Sequence, residues 1–121
     1  MGITPHDVAV EIGKKIQDLE GAKAKVKERL EKRAKTSAEY DKAIAVTLIG
    51  LKNGKSYKID DIEISNPPAS IMDKLARGIC WQEKLEMEIA EAEYKSIITY
   101  IETTQSQLMG WQSINKFQSE V

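Results

Sequence analysis

Residues 80–111 read CWQEKLEMEIAEAEYKSIITYIETTQSQLMGW, and this stretch decides the fold. Two apolar series run through it in steps of seven, with the second series three residues after the first. The first contains Cys80, Met87, Tyr94, Ile101 and Leu108, and the second contains Ala90, Ile97, Thr104 and Trp111. This is the heptad pattern of a helix that packs against another helix. We therefore predict a long second helix over about residues 68–117, entered through Pro67 and Pro68.

A first helix is predicted over about residues 5–46. Thr4 is a suitable N-cap, Pro5 suits the first helical position, and Asp7 lies where the helix dipole favours an anion. Two heptad series follow, one of Leu19, Val26, Arg33, Tyr40 and Thr47 and the other of Ile16, Lys23, Leu30, Ser37 and Ile44. The polar residues in these series predict a helix that is incompletely covered or packs beside more than one partner.

The segment between the helices, about residues 47–66, permits two interpretations. Asn53-Gly54 and the alternating apolar residues around Asp60-Asp61 are typical of a small β-hairpin. Alternatively, the first helix runs to Leu51 or Lys52 with Asn53-Gly54 as its C-cap, which leaves a single short extended segment.

Together these patterns predict a mainly all-α fold in a single domain of residues 1–121. We expect an antiparallel long-helix hairpin or coiled coil with a small β-hairpin or extended segment at the turn. Charge favours the antiparallel pairing, because residues 23–35 hold seven basic side chains and residues 83–93 hold five glutamates. A chain that folds back around residues 57–58 places position 29 opposite about position 86.

Composition limits the functional classes. The chain has 121 residues, a net charge of −1 and one cysteine, so neither a disulfide framework nor a strongly basic nucleic-acid-binding protein is expected. No apolar stretch is long enough to span a bilayer, and the first residues lack the pattern of a signal peptide, so we expect a cytoplasmic protein. The only histidine is His6, and the glycines form no phosphate loop. We predict no catalytic residues, no metal site and no cofactor.

Two local features point to binding. In residues 76–84, ARGICWQEK, Gly78 interrupts a helical pattern while Arg77 and Trp81 are four residues apart. Such a combination serves as an interface contact, as a small-molecule pocket with Lys84, or as plain core. Near the end of the chain, Trp111, Gln112 and Asn115 form the second candidate group, within an aromatic tip that packs on the N-terminal residues or on a partner.

A second apolar line on the second helix predicts self-association. Leu75, Leu85, Ile89 and Ala92, with Ile98 nearby, lie off the heptad seam. A helix with two apolar lines has more surface to bury than one antiparallel helix covers. We therefore expect a homo-oligomer.

Five short segments of the sequence carry a resemblance to known proteins: LKNG (51–54), NPPASIM (66–72), ARGICW (76–81), AEAEYK (90–95) and GWQSI (110–114). Together they resemble small uncharacterised coiled-coil proteins of phages and prophages of Gram-positive bacteria. The resemblance implies a non-enzymatic accessory protein that acts in phage replication and recombination or against host defence. The helix, turn, helix layout is also similar to that of prefoldin subunits, in architecture only.

Two functional hypotheses result. In the first, an oligomeric phage-type binding protein neutralises a host defence component by sequestering a nucleotide signalling molecule between subunits. Its candidate ligand-binding residues are Arg77, Trp81, Lys84, Trp111, Gln112 and Asn115. In the second, a structural, assembly or replication-recombination accessory protein binds a protein partner or, less in keeping with the charge balance, single-stranded nucleic acid through residues 23–35.

Overall fold

The structure, a computed structural model, describes residues 2–120. Helix α1 spans Pro5–Lys52, strands β1 and β2 span Tyr57–Ile59 and Ile62–Ile64, a 3₁₀ turn spans Ala69–Ile71, and helices α2 and α3 span Met72–Ile79 and Trp81–Glu120. The long helices α1 and α3 pack antiparallel, and the strand pair and α2 lie at the turn between them. The predicted helical hairpin is thus confirmed. The prediction of a single domain stays a prediction.

The N-terminus of α1 is capped as predicted. The backbone N–H of Thr4 donates to the Asp7 carboxylate at 3.1 Å, and the backbone N–H of Asp7 donates to the Thr4 hydroxyl at 3.1 Å. These reciprocal bonds form a capping box in which aspartate takes the place of the usual glutamate. Two backbone N–H groups that the first turn would leave unpaired are satisfied in this way.

Both interpretations of the middle segment are partly right. Helix α1 continues to Lys52, beyond the predicted end near residue 46, because Gly54 takes a φ of +81° and caps it. The backbone N–H of Gly54 donates to the carbonyl of Leu51, and the N–H of Lys55 donates to the carbonyl of Gly50. This pair of bonds is the Schellman motif. The β-hairpin then forms as well, with its turn at Asp60-Asp61.

The predicted second helix is interrupted, which corrects the continuous helix expected from about residue 68. A 3₁₀ turn precedes α2, and Cys80 separates α2 from α3 with φ −91° and ψ 28°. Hydrogen bonds of the helical type flank the interruption, from the N–H of Cys80 to the carbonyl of Ala76 and from the N–H of Lys84 to the carbonyl of Cys80. The interruption is therefore confined to the backbone torsions of one residue.

The described residues belong to two compact units, one of residues up to Leu30 and from Glu93 onward, the other of Glu31–Ala92. We refer to them as the terminal unit and the turn unit. The buried side chains of the terminal unit include Val8, Leu19, Ala22, Ile97 and Thr104. Those of the turn unit include Thr36, Tyr40, Thr47, Leu51, Ala76, Cys80 and Ala90.

One of the two predicted series on α1 is wrong over its first half. The Leu19 series is buried or half-buried throughout, as predicted. In the other series, Ile16 and Leu30 are 42% and 46% exposed, and Lys23 is exposed too. Ala22 and Arg29, one residue earlier in the heptad, take the inner positions instead. Both predicted series on α3 are buried or half-buried, so that seam is confirmed.

The charge pairing occurs, but the predicted register is wrong. In the turn unit Arg33 Nη2 lies 3.7 Å from Glu91 Oε1. In the terminal unit Arg29 Nη1 donates to the main-chain carbonyl of Glu93 at 3.1 Å, whereas position 86 was expected opposite it. The chain reverses between Asp60 and Asp61 rather than at residues 57–58, and this shifts the facing positions.

Candidate functional site

Three predicted ligand-binding residues lie in the turn unit at the junction of α2 and α3. Arg77, in the last turn of α2, is exposed, as is Lys84 in the first turns of α3. Trp81, the first residue of α3, is 54% exposed. Among residues 2–120, Arg77 has no ion-pair partner. An exposed indole near two exposed cations leaves both an aromatic face and positive charge available to a binding partner.

The space beside Gly78 is taken by the chain itself. A Cβ at this position would lie 3.4 Å from Cδ1 of Ile59, which belongs to β1. Helix α2 packs against β1 along this contact. On that side the β-hairpin therefore occupies the space that the missing side chain of Gly78 leaves.

The other three predicted residues, Trp111, Gln112 and Asn115, lie on α3 in the terminal unit. Trp111 is half-buried, and Gln112 and Asn115 are exposed. Trp111 lines a groove of about 550 Å³ with Ile3, His6, Asp7, Val10, Glu11 and Lys14. The contact of this helix end with the N-terminal residues was predicted, and a hydrogen bond of 3.1 Å from Gln118 Nε2 to the carbonyl of Ile3 supports it.

In the turn unit, α3 has an exposed apolar face that lies away from the heptad seam. Trp81, Leu85 and Ile89 follow one another at intervals of four and are 54%, 49% and 47% exposed. Cys80 and Ala90, on the seam side of the same helix, are only 3% and 1% exposed. We call Trp81, Leu85 and Ile89 the outer face of α3. It contains the middle of the second apolar line that the sequence predicted.

Sequence reasoning missed a second site, a groove in the terminal unit of about 430 Å³. We call it the Gly21 groove. Its lining residues are Gln17, Asp18, Gly21, Ala22, Lys25, Arg29, Ser96, Ile97 and Tyr100. A Cβ at Gly21 would meet no atom within 4 Å, so the absence of a side chain there leaves open space. The one available signal was this glycine in the interior of a long helix.

Among the described residues the cysteine is buried and the carboxylates show no metal-binding arrangement. The Cys80 thiol is buried and lies 3.3 Å from the Thr47 hydroxyl, which is also buried. Within residues 2–120 no three histidine, cysteine or carboxylate side chains are grouped so that they could hold a metal ion. Cys80 therefore has the environment of a structural thiol, since a reactive cysteine needs exposure.

The comparisons with known proteins add no relative. No family model matches the chain, and no match was found among the curated proteins or the solved structures. None of the helices in the described range has the length and apolar character needed to cross a membrane.

Proposed function

We propose that this chain is a non-enzymatic binding protein that works as a homo-oligomer, with the outer face of α3 as the interface between copies. The observation that carries the proposal is the exposure of about half of Trp81, Leu85 and Ile89 on one side of one helix. Large side chains left in water at regular helical spacing are typical of a helix that docks on another helix. Because each of these side chains is already about half buried, complete burial at an interface contributes about 0.7–1.5 kcal/mol per side chain.

The ligand of this oligomer is, in the same proposal, a nucleotide-type small molecule held between subunits. Arg77 and Lys84 supply positive charge for phosphate, and Trp81 supplies a stacking surface beside them. Trp111, Gln112 and Asn115 of a neighbouring subunit complete the site. Because a planar guanidinium binds phosphate oxygens in pairs, Arg77 is the main phosphate contact in this arrangement.

The biological setting that we propose is that of a cytoplasmic phage protein that neutralises a host defence component by sequestration. This part rests on the resemblance of residues 51–54, 66–72, 76–81, 90–95 and 110–114 to phage proteins. The alternative is a structural or replication-recombination accessory protein that binds a protein partner or single-stranded nucleic acid.

The experiment is the native mass of the protein as purified from cells, measured for the original chain and for two variants. Leu85→Glu places a charge on the outer face, and Met109→Glu places the same charge at a position of α3 that is already 66% exposed. We expect an oligomer for the original chain and for Met109→Glu, and smaller species for Leu85→Glu.

The three possible masses distinguish the proposals. A monomeric original chain would overturn the oligomeric interface. An oligomer that carries the extra mass of one small molecule per site supports sequestration, and loss of that mass in Arg77→Ala locates the molecule. An oligomer of bare chains supports the interface and favours the accessory-protein alternative.

A further inference from the structure

We propose that the Gly21 groove binds a small organic anion with a planar ring, of the size of a mononucleotide. All of its lining residues belong to the terminal unit of one chain, so the inference does not depend on an interface between copies. Its volume of about 430 Å³ falls within the range of about 300–1,000 Å³ that is usual for small-molecule sites.

The planar ring of the proposed ligand is inferred from the shape of the groove. Tyr100 is 46% exposed and supplies an aromatic surface at the groove wall, while Ile97 is buried and supplies an apolar floor. At Gly21 the helix has no side chain, and nothing lies within 4 Å of the Cβ position. A flat group can therefore approach the α1 backbone closely between these residues, as glycine allows. Stacking on an aromatic side chain contributes about 1–3 kcal/mol per base in nucleic-acid complexes.

The anionic group of the proposed ligand is inferred from two cationic side chains that lie one turn apart on α1. Lys25 is exposed and forms no ion pair with any described residue. Arg29 is half-buried, and its Nη1 donates to the carbonyl of Glu93, a contact that fixes the guanidinium beside the groove. A guanidinium has five N–H donors, so this bond leaves others for a phosphate or carboxylate.

The polar side chains limit the ligand further. Asp18 is the only acid among the lining residues, so the groove carries two positive charges against one negative charge. This balance favours a ligand with a single phosphate over a polyphosphate, because Asp18 repels additional negative charge. Asp18 and Gln17 also supply acceptors for sugar hydroxyls, and Gln17 and Ser96 supply donors for ring nitrogens.

The test is isothermal titration of the full chain with AMP, adenosine and inorganic phosphate. Gly21→Leu fills the groove and replaces glycine by a better helix former, so the fold is retained. Gly13→Leu is the matched control, because Gly13 is also exposed on α1 with open space at its Cβ but does not line the groove. Lys25→Gln removes one cation without removing the ring contact.

We expect AMP to bind the original chain and Gly13→Leu with equal affinity. In Gly21→Leu the affinity for AMP should fall at least about tenfold, which is 1.4 kcal/mol. We expect Lys25→Gln to weaken the binding of AMP and to leave the binding of adenosine unchanged. Phosphate alone should bind more weakly than AMP.

The inference is overturned if AMP does not bind the original chain or if it binds Gly21→Leu as tightly as it binds Gly13→Leu. Loss of AMP binding in Arg77→Ala alone would also overturn it, by placing the ligand at the α2–α3 junction of the turn unit. The native mass tests the oligomeric interface and the titration tests the Gly21 groove, so failure of one proposal can be told from failure of the other.

Discussion

The ring of Tyr57 occupies the space that a side chain at Gly50 would need. A Cβ at Gly50 would collide with the Tyr57 hydroxyl and would lie 3.1 and 3.3 Å from two of its ring carbons. Glycine near the end of α1 thus allows β1 to pack its tyrosine directly on the helix backbone. This contact joins the last turns of α1 to the β-hairpin within the turn unit.

We predict that Gly50→Ala destabilises the protein by about 1–3 kcal/mol, because the added methyl group forces the tyrosine out of its position. Urea unfolding followed by circular dichroism measures the change. Gly13→Ala is the control, since its Cβ position is open, and we expect it to stabilise α1 by about 0.5–1 kcal/mol. In a Tyr57→Ala background the added methyl group should no longer destabilise, and an undiminished cost there would contradict the explanation.

A second prediction concerns the buried pair of Thr47 and Cys80, whose oxygen and sulfur are 3.3 Å apart. Thr47→Val removes the hydroxyl at nearly constant volume and should cost about 0.5–1.5 kcal/mol. Thr103→Val, at an exposed position on α3, should change stability by less than about 0.5 kcal/mol. The combination Thr47→Val with Cys80→Ala should cost less than the sum of the two single changes, and strict additivity would show that the two groups do not interact.

The third prediction is a pH dependence at the capping box. Hydrogen bonds from the backbone N–H and then the hydroxyl of Thr4 lower the pKa of Asp7 below its ordinary value. A carboxylate with a lowered native pKa stabilises the folded state above its unfolded pKa of about 4, and this contribution is lost as the pH falls through the native value. Asp7→Asn should therefore be less stable than the original chain at pH 7, and the difference should shrink in acid.

Urea titrations at pH 7 and at about pH 2 measure this difference. Repeating them in a Thr4→Ala background provides the control, because the capping box is then already broken. An Asp7→Asn effect of the same size at both pH values, or one unaffected by Thr4→Ala, would contradict the assigned cause.

The fourth prediction concerns the hairpin turn, where Asp60 has a φ of +54°. Glycine adopts this left-handed conformation at lower cost than aspartate and is favoured at the first central position of type II′ turns. Asp60→Gly should stabilise the hairpin by a few tenths to about 1 kcal/mol. Asp61, whose φ is not positive, is the matched control. Asp61→Gly should lower stability, and equal effects of both changes would contradict the role of the Asp60 backbone.

Most of the fold was predictable because it depends on local bonds and on periodicity. The Thr4, Pro5 and Asp7 start and the Gly54 C-cap are local hydrogen-bond patterns that a few residues specify. The heptads of α3 indicated its buried side because the Cys80 and Ala90 series recur in steps of seven over the whole helix, whereas the second apolar line is shorter and irregular. Gly78 interrupts the helical pattern in the sequence, but nothing there specified a break at Cys80, on both sides of which helical hydrogen bonds are retained.

The candidate sites were predictable only in part. The second apolar line placed Leu85 off the heptad seam, whereas the sequence left open whether Trp81 is an interface contact, part of a pocket or core. The Gly21 groove does not follow, because it requires Ser96, Ile97 and Tyr100 of α3 to lie beside Gly21 of α1. A heptad pattern contains no information about which turn of the second helix faces a given turn of the first.

The sequence by itself determined that there are two long helices, where α1 begins, which side of α3 is buried and that a turn-rich segment joins them. Only the tertiary structure decided which residues complete the inner side of α1 over its first half. Apolarity favours Leu30 over Arg29, yet Leu30 is 46% exposed, and Arg29 is half-buried. The physical reason is that Arg29 finds a carbonyl acceptor at Glu93, a residue that is distant in sequence and becomes a neighbour only when the helices pack.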